Sequence, residues 1–178
     1  MKNDKRFVHI LEEIYMSKKI LIVSDSHGNN TNLRKAIANM GDTLDLMIHL
    51  GDMECDPDVI KNLVKCPAEM VKGNCDGLSR LQAAKIIDIG EHKALITHGH
   101  RYGGKYGIDS MREMAEVNGA DIVMFGHIHE PVLEHYQGGM TVLNPGSISK
   151  PRQDGHRPTY AVMTIEDDGR TDYAIVKM

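Results

Sequence analysis

Apolar residues in this chain come in short runs that stop at glycine. The first, Ile20-Leu21-Ile22-Val23, leads into Ser24-Asp25-Ser26-His27-Gly28. A continuous apolar run of this length suits a strand buried on both faces, as in parallel sheets. The pattern repeats four times. Leu44 to Leu50 ends at Gly51-Asp52, and Ala68 to Lys72 ends at Gly73-Asn74-Cys75-Asp76. Lys93 to Thr97 ends at His98-Gly99-His100, and Asp121 to Phe125 ends at Gly126-His127-Ile128-His129. Between the strands, Leu33, Ala36, Ile37 and Met40 lie at helical spacing behind a cap at Thr31 or Asn30, with Gly41 as the stop. Pro57 opens a second helix reaching about Val64. Ser110-Met111-Arg112-Glu113 has capping-box spacing and predicts a third, reaching about Asn118. Leu81 to Ile89 predicts a strand that turns at Gly90-Glu91, and Gly103 to Gly107 and Asn144 to Pro158 read as loops. Gly138-Gly139 and Asp167-Asp168-Gly169 each join two apolar segments and predict hairpins.

Residues 1–18 read as an N-terminal extension. Phe7, Ile10, Leu11 and Ile14 have the spacing of a short amphipathic helix, and Met16 has the position of a second translation start. The extension is expected to contribute nothing to the chemistry, and residues 19–178 to form one domain. The chain has 178 residues, 41% hydrophobic and 26% charged, with a formal net charge of −4. That length allows one proper core. The negative balance and the lack of a Lys/Arg run disfavour long nucleic acids. No stretch has the length of a membrane span or the order of a secretion signal. Three cysteines, Cys55, Cys66 and Cys75, without CxxC spacing fit reduced thiols and a cytoplasmic protein, with Cys55 and Cys66 as packing residues.

Each of the five runs ends beside side chains that bind metals. Asp25 and His27 are two residues apart in extended chain, so they point the same way. In open α/β sheets ligands bind outside the carboxyl ends of the strands. If the five strands lie in register, Asp25, His27, Asp52, Asn74, His98, His127 and His129 converge on one rim. Seven oxygen and nitrogen donors suit two metals roughly 3.5–4 Å apart, with a shared carboxylate offsetting the repulsion between cations. Asp52 is the natural bridge, because its strand brings no other ligand. Taken singly, Asp52 reads equally well as a turn residue, Asn74 as a left-handed turn residue, and His98 and His127 as core histidines. Their joint recurrence in order is what favours the metals.

The series Asp25-x-His27, Gly51-Asp52, Gly73-Asn74-Cys75-Asp76, His98-Gly99-His100, Gly126-His127-x-His129 resembles the calcineurin-like metallophosphoesterases. More narrowly, it resembles their small single-domain phosphodiesterase branch, as do Asn144-Pro145-Gly146-Ser147 and Pro151-Arg152. The resemblance implies an α/β fold, a four-layer α/β/β/α sandwich of two packed sheets flanked by helices. It also implies that Asp25, His27 and His129 hold one metal, that Asn74, His98 and His127 hold the other, and that Asp52 bridges. The family's Gly-Asn-His motif has a proton-donating histidine where this chain has Cys75, which is itself a catalytic candidate, a poorer proton donor whose ordinary thiol pKa of about 8.5 does not forbid the role. His100 is the candidate substitute, with support of the ligand shell or plain exposure as its ordinary readings. Asp76 and Arg152 are candidate substrate contacts, with one half of a surface ion pair as the ordinary reading of Arg152.

The expected function is hydrolysis of a phosphoester, taken as a diester, with two divalent metals that bind phosphoryl oxygens and acidify a bridging water to the attacking hydroxide. The donors accept Mn, Fe, Zn, Co or Ni, with Mn first. The expected partner is a small phosphoester, with no membrane, and a homo-oligomer is left open. The rivals are a phosphomonoesterase or nuclease with the same metals, and a silent scaffold such as the retromer subunit of this fold.

Overall fold

The computed structural model describes residues 17–178, so the helical reading of the extension lies outside the described residues. The strands are β1 (Lys18–Val23), β2 (Leu46–His49), β3 (Ala68–Met70), β4 (Ala84–Ile89), β5 (His92–Thr97), β6 (Ile122–Met124), β7 (Pro131–His135), β8 (Thr141–Pro145), β9 (Thr159–Ile165) and β10 (Thr171–Lys177). The helices are α1 (Thr31–Met40), α2 (Pro57–Lys61) and α3 (Ile108–Val117). Two five-stranded sheets form, with orders β10-β9-β1-β2-β3 and β4-β5-β6-β8-β7. β1, β2 and β3 run parallel, as do β5, β6 and β8. The ends of the parallel strands therefore share a direction within each sheet.

Alternation along the strands explains the layers. From β1, Ile20 and Ile22 pack between the sheets with Ile48, Ile96, Met124, Leu143 and Met163. Leu21 and Val23 face the other way, onto Leu33 and Ala36 of α1 and Ile60 of α2. On the second sheet Leu95, Val123 and Val142 face Ile108, Met111 and Ala115 of α3. The result is the four-layer α/β/β/α sandwich. The central strands are covered on both faces, which is why they read as unbroken apolar runs. Cys55 and Cys66, both free, pack half-buried against the helix side of the first sheet.

Several boundaries move from their sequence reading. α2 stops at Lys61, and the N–H groups of Leu63 and Val64 close tighter turns onto Ile60 and Lys61. The capping box at Ser110 does not form. α3 begins two residues earlier at Ile108, behind Gly107, with no side-chain cap. Ile108 shares the buried face of Met111 and Ala115, and the chain enters the helix already turning from the 3₁₀ segment Gly104–Gly107. Neither Asn30 nor Thr31 caps α1 with its side chain. The Thr31 N–H instead donates to Oδ1 of Asn29 at 3.1 Å.

Ile22 sits in the shared core, while Val117 on α3 is 81% exposed. Ile22→Ala should cost about 2–5 kcal/mol and Val117→Ala no more than about 0.5 kcal/mol. Urea unfolding at constant m-value checks this; equal midpoints for the two variants would contradict the two-sheet core.

Candidate metal centre

The loops after β1, β2, β3, β5 and β6 meet on one rim, and backbone bonds extend the β1–β2 pairing into the turns. Asp25, His27 and Gly28 donate their N–H groups to the carbonyls of Gly51, Asp52 and Met53 at 2.8–3.1 Å. The Gly126 N–H donates to the His98 carbonyl at 3.2 Å and the His127 N–H to Oδ2 of Asp25 at 3.1 Å. The Cys75 N–H reaches Oδ1 of Asp52 at 2.8 Å, tying the β3 loop to the same point. Gly73 is required by this closeness: a Cβ there would lie 2.0 Å from Oδ1 of Asp52.

Asp25, fully buried, and Asp52, 2% exposed, stand at the middle. Oδ1 of Asp25 lies 3.1 Å from Nε2 of His129 and 3.9 Å from Nε2 of both His27 and His98. Oδ2 of Asp52 lies 3.3 Å from Nε2 of His98 and 4.0 Å from Nε2 of His27. The two Nε2 atoms of His27 and His129 are 3.2 Å apart. The far sides of these rings are occupied. Nδ1 of His27 donates to Oε1 of Glu54 at 2.6 Å, His98 to the Leu50 carbonyl at 2.7 Å, and His129 to the Lys150 carbonyl at 2.6 Å. With its proton on Nδ1, each neutral ring turns a bare Nε2 lone pair inward, the arrangement that holds metal-binding imidazoles in one tautomer. Oδ1 of Asp25 and Nε2 of His98 are buried without a hydrogen-bond partner. Lone pairs facing one another in a buried site need a cation, proton or metal, between them. The donor set therefore fits divalent metal.

Electrostatics point the same way. Burial alone would raise the Asp25 and Asp52 carboxyls; the adjacent imidazoles of His129 and His98 at Asp25, and of His98 with the Cys75 N–H at Asp52, outweigh it and hold both below the ordinary range. Burial would lower His98, but Asp52 and Asp25 raise it. Burial and the His98 charge push His127 and His100 down. Donor atoms lie within 4.8 Å of one another in three groups: Asp25, His27 and His129; Asp25, Asp52 and His98; and His27, Asp52 and Cys75.

Residues 19–168 match the family model described as the calcineurin-like phosphoesterase superfamily domain. The chain belongs to this superfamily. It is 37% identical over 152 residues to the probable metallophosphoesterase YsnB of Bacillus subtilis, covering 85% of this chain and 87% of that one. It is 36% identical over 146 residues to phosphodiesterase MJ0936 of Methanocaldococcus jannaschii, covering 72% and 82%. A crystal structure of a predicted phosphoesterase from Streptococcus pneumoniae superimposes with a TM-score of 0.73 at 25% identity, covering 91% of this chain and 98% of that one. Vacuolar protein sorting 29 from Cryptosporidium parvum shares the fold alone, with a TM-score of 0.71 at 19% identity. The superfamily and the named relatives are phosphoesterases, which supports a hydrolase, and the candidate metal-ligand clusters of this chain are those just described.

The remaining candidate residues fall into two groups. His127 and His100 join the cluster: their ring centroids lie 5.2 and 5.5 Å from that of His98. Asn74 and Cys75 are exposed on the same rim, with Nδ2 of Asn74 3.3 Å from the Cys75 sulfur. Burial, then Asp52 and Glu54, push the Cys75 thiol up to about 12. Arg152 is exposed, its backbone N–H bonded to the His129 carbonyl and its charge felt at His127. Asp76 is different: it is buried, and its two oxygens accept the N–H groups of Glu54 at 2.8 Å and Gly73 at 2.9 Å. It joins the β2 and β3 loops and does not turn toward the rim.

Glu54, Ser149 and His49 support the site without a sequence signal of their own, and Asn144 and Ser147 gain roles that their motif alone did not give them. The Ser147 and Ser149 hydroxyls donate to the Asp25 carbonyl at 2.8 and 3.0 Å, and Nδ2 of Asn144 donates to the Gly126 carbonyl at 2.8 Å. The Asn144-Pro145-Gly146-Ser147 motif was the available signal for the last loop. His49, pushed down to about 4 by burial, lies 3.1 Å by its Nε2 from the Ser26 hydroxyl. Glu54→Gln should weaken metal binding about 10- to 100-fold, by loosening the His27 ring, with little change in thermal stability of the apoprotein. Calorimetric titration with Mn²⁺ checks it; unchanged affinity would mean that the Glu54–His27 bond does not set the ring.

Proposed function

We propose that the protein is a phosphodiesterase working with two divalent cations, Mn before Fe, Zn, Co or Ni. Asp25, His27 and His129 would hold one, Asn74, His98 and His127 the other, and Asp52 would bridge. The observation that carries this reading is the 3.2 Å approach of the His27 and His129 Nε2 atoms beside two buried carboxylates. Bound there, the cations would polarise phosphoryl oxygens and acidify a water at neutral pH. The chain's own groups would do the rest. Asp25 and Asp52 would supply the negative charge that two close cations need. Glu54, Leu50 and Lys150 would keep the imidazole protons on the outer nitrogens. Arg152 would bind a phosphate oxygen, and its exposed position near His127 supports that. His100 would hold the proton at the leaving oxygen; in support, its ring stands 5.5 Å from that of His98, beside the candidate metal ligands. Cys75, its thiol pushed up by burial, Asp52 and Glu54, would be a poorer proton donor than His100. A diester is preferred because a relative is named a phosphodiesterase, and the absent histidine of the family's proton donor disfavours esters with poor leaving groups.

The substrate would be a small phosphoester met in the cytoplasm. Among the described residues no helix is long and apolar enough to cross a membrane. The rivals separate in one experiment: metal analysis of the purified protein, with turnover of p-nitrophenyl phosphate and bis(p-nitrophenyl) phosphate over the five metals. Two ions per chain and faster diester cleavage are expected. Faster monoester cleavage would make it a phosphomonoesterase. Bound metal without turnover would favour the scaffold. His100→Asn should keep both ions and lower kcat; general acids contribute about 10²–10⁴-fold, so a loss below about threefold would remove His100 from the reaction.

A further inference from the structure

A cleft of about 510 Å³ lies beside the metal centre. One wall comes from the loop between β2 and α2, with Glu54, Asp56 and Pro57, and the other from the loop between β3 and β4, with Cys75 and Leu78. Asp76 ties the two walls through its bonds to the N–H groups of Glu54 and Gly73. Cys75 belongs to both sites: it lines the cleft, and its sulfur lies within 4.8 Å of donor atoms on His27 and Asp52. Glu54 also belongs to both, through its bond to His27. The cleft thus opens directly onto the rim. Its size is that of a small-molecule site.

We infer that this cleft receives the second alcohol of the phosphodiester and selects an uncharged or cationic alcohol over an anionic one. The inference rests on the phosphodiesterase reading above. The lining contains no lysine or arginine, while Glu54 and Asp56 bring exposed carboxylates to it. A second phosphate or a carboxylate on the substrate would meet like charge with no cation to pair it. Leu78 is 102% exposed in the structure, standing after Gly77 on the outer wall. Together with Pro57 it offers an apolar surface to the body of an alcohol. A cationic group would gain from Asp56, an aromatic or aliphatic group from Leu78.

Four diesters that all release p-nitrophenolate test this: those of choline, phenol, methanol and glycolate, the last carrying a carboxylate. The wild type with Mn²⁺ should give kcat/KM values for the choline and phenyl esters well above that for the glycolate ester. Asp56→Asn keeps an oxygen to cap α2, whose Asp58 N–H the Asp56 side chain now accepts. It should lower the choline-to-methyl ratio of kcat/KM about two- to fivefold, the range of an exposed charge pair. Leu78→Ser, at a fully exposed position, should lower the phenyl-to-methyl ratio about threefold or more, through KM. A glycolate ester cleaved as well as the choline ester, or both ratios unchanged in the variants, would overturn the cleft's role while leaving the phosphodiesterase intact. No turnover of any of the four by metal-loaded wild type would overturn the phosphodiesterase reading itself, and the inference with it.

Discussion

Two carboxylates buried side by side among imidazoles are the constraint on which the rest depends. Asp25 is fully buried and Asp52 is 2% exposed. Ionised groups removed from water are costly unless opposite charge meets them. Here positive charge has one place to go, between Asp25, Asp52 and the inward nitrogens of His27, His98 and His129. The outer nitrogens of these rings are engaged by Glu54, Leu50 and Lys150, so the lone pairs cannot turn away. Divalent metal fits this arrangement better than protons do, because protons would leave carboxylates and imidazoles competing for them.

The backbone bears the cost of this convergence. Among the described residues, non-glycine residues with positive φ are Asp25, His27, Asp52, Glu54, His127, His129 and His156. Six of these seven stand on the rim, and left-handed backbone at a non-glycine residue costs on the order of 1–3 kcal/mol. Asp and His tolerate that region better than bulkier side chains. The strain persists because the flanking parallel strands are covered on both faces and fix where each loop leaves. Gly73 and the hydroxyls of Ser147 and Ser149 then lock the loops together. Rigid layers and a strained rim are two sides of one design.

The buried strands were legible because doubly covered strands must be continuously apolar, and ligand pairs such as Asp25 and His27 follow them directly; the four layers followed only from the family resemblance. Element ends were less legible. The extra turn at Ile108 is set by burial of its side chain against the second sheet, which overrides the capping box at Ser110. The supporting residues were hardest to see. Glu54 meets His27 from 27 residues away, and Ser147 meets Asp25 from 122. Such partners depend on how loops from different strands meet, and no local spacing encodes that. Asp76 shows the converse: it stands within a motif, yet the fold turns both its oxygens onto backbone N–H groups.

In the proposed site Asp52 would be shared by two cations. Electron paramagnetic resonance of the protein loaded with two equivalents of Mn²⁺ tests it most directly, since two such ions joined by a carboxylate are exchange-coupled. The account predicts a broad coupled-pair spectrum that gives way, in Asp52→Ala, to the six-line signal of isolated Mn²⁺. A wild-type spectrum of uncoupled Mn²⁺ at saturating metal would contradict it.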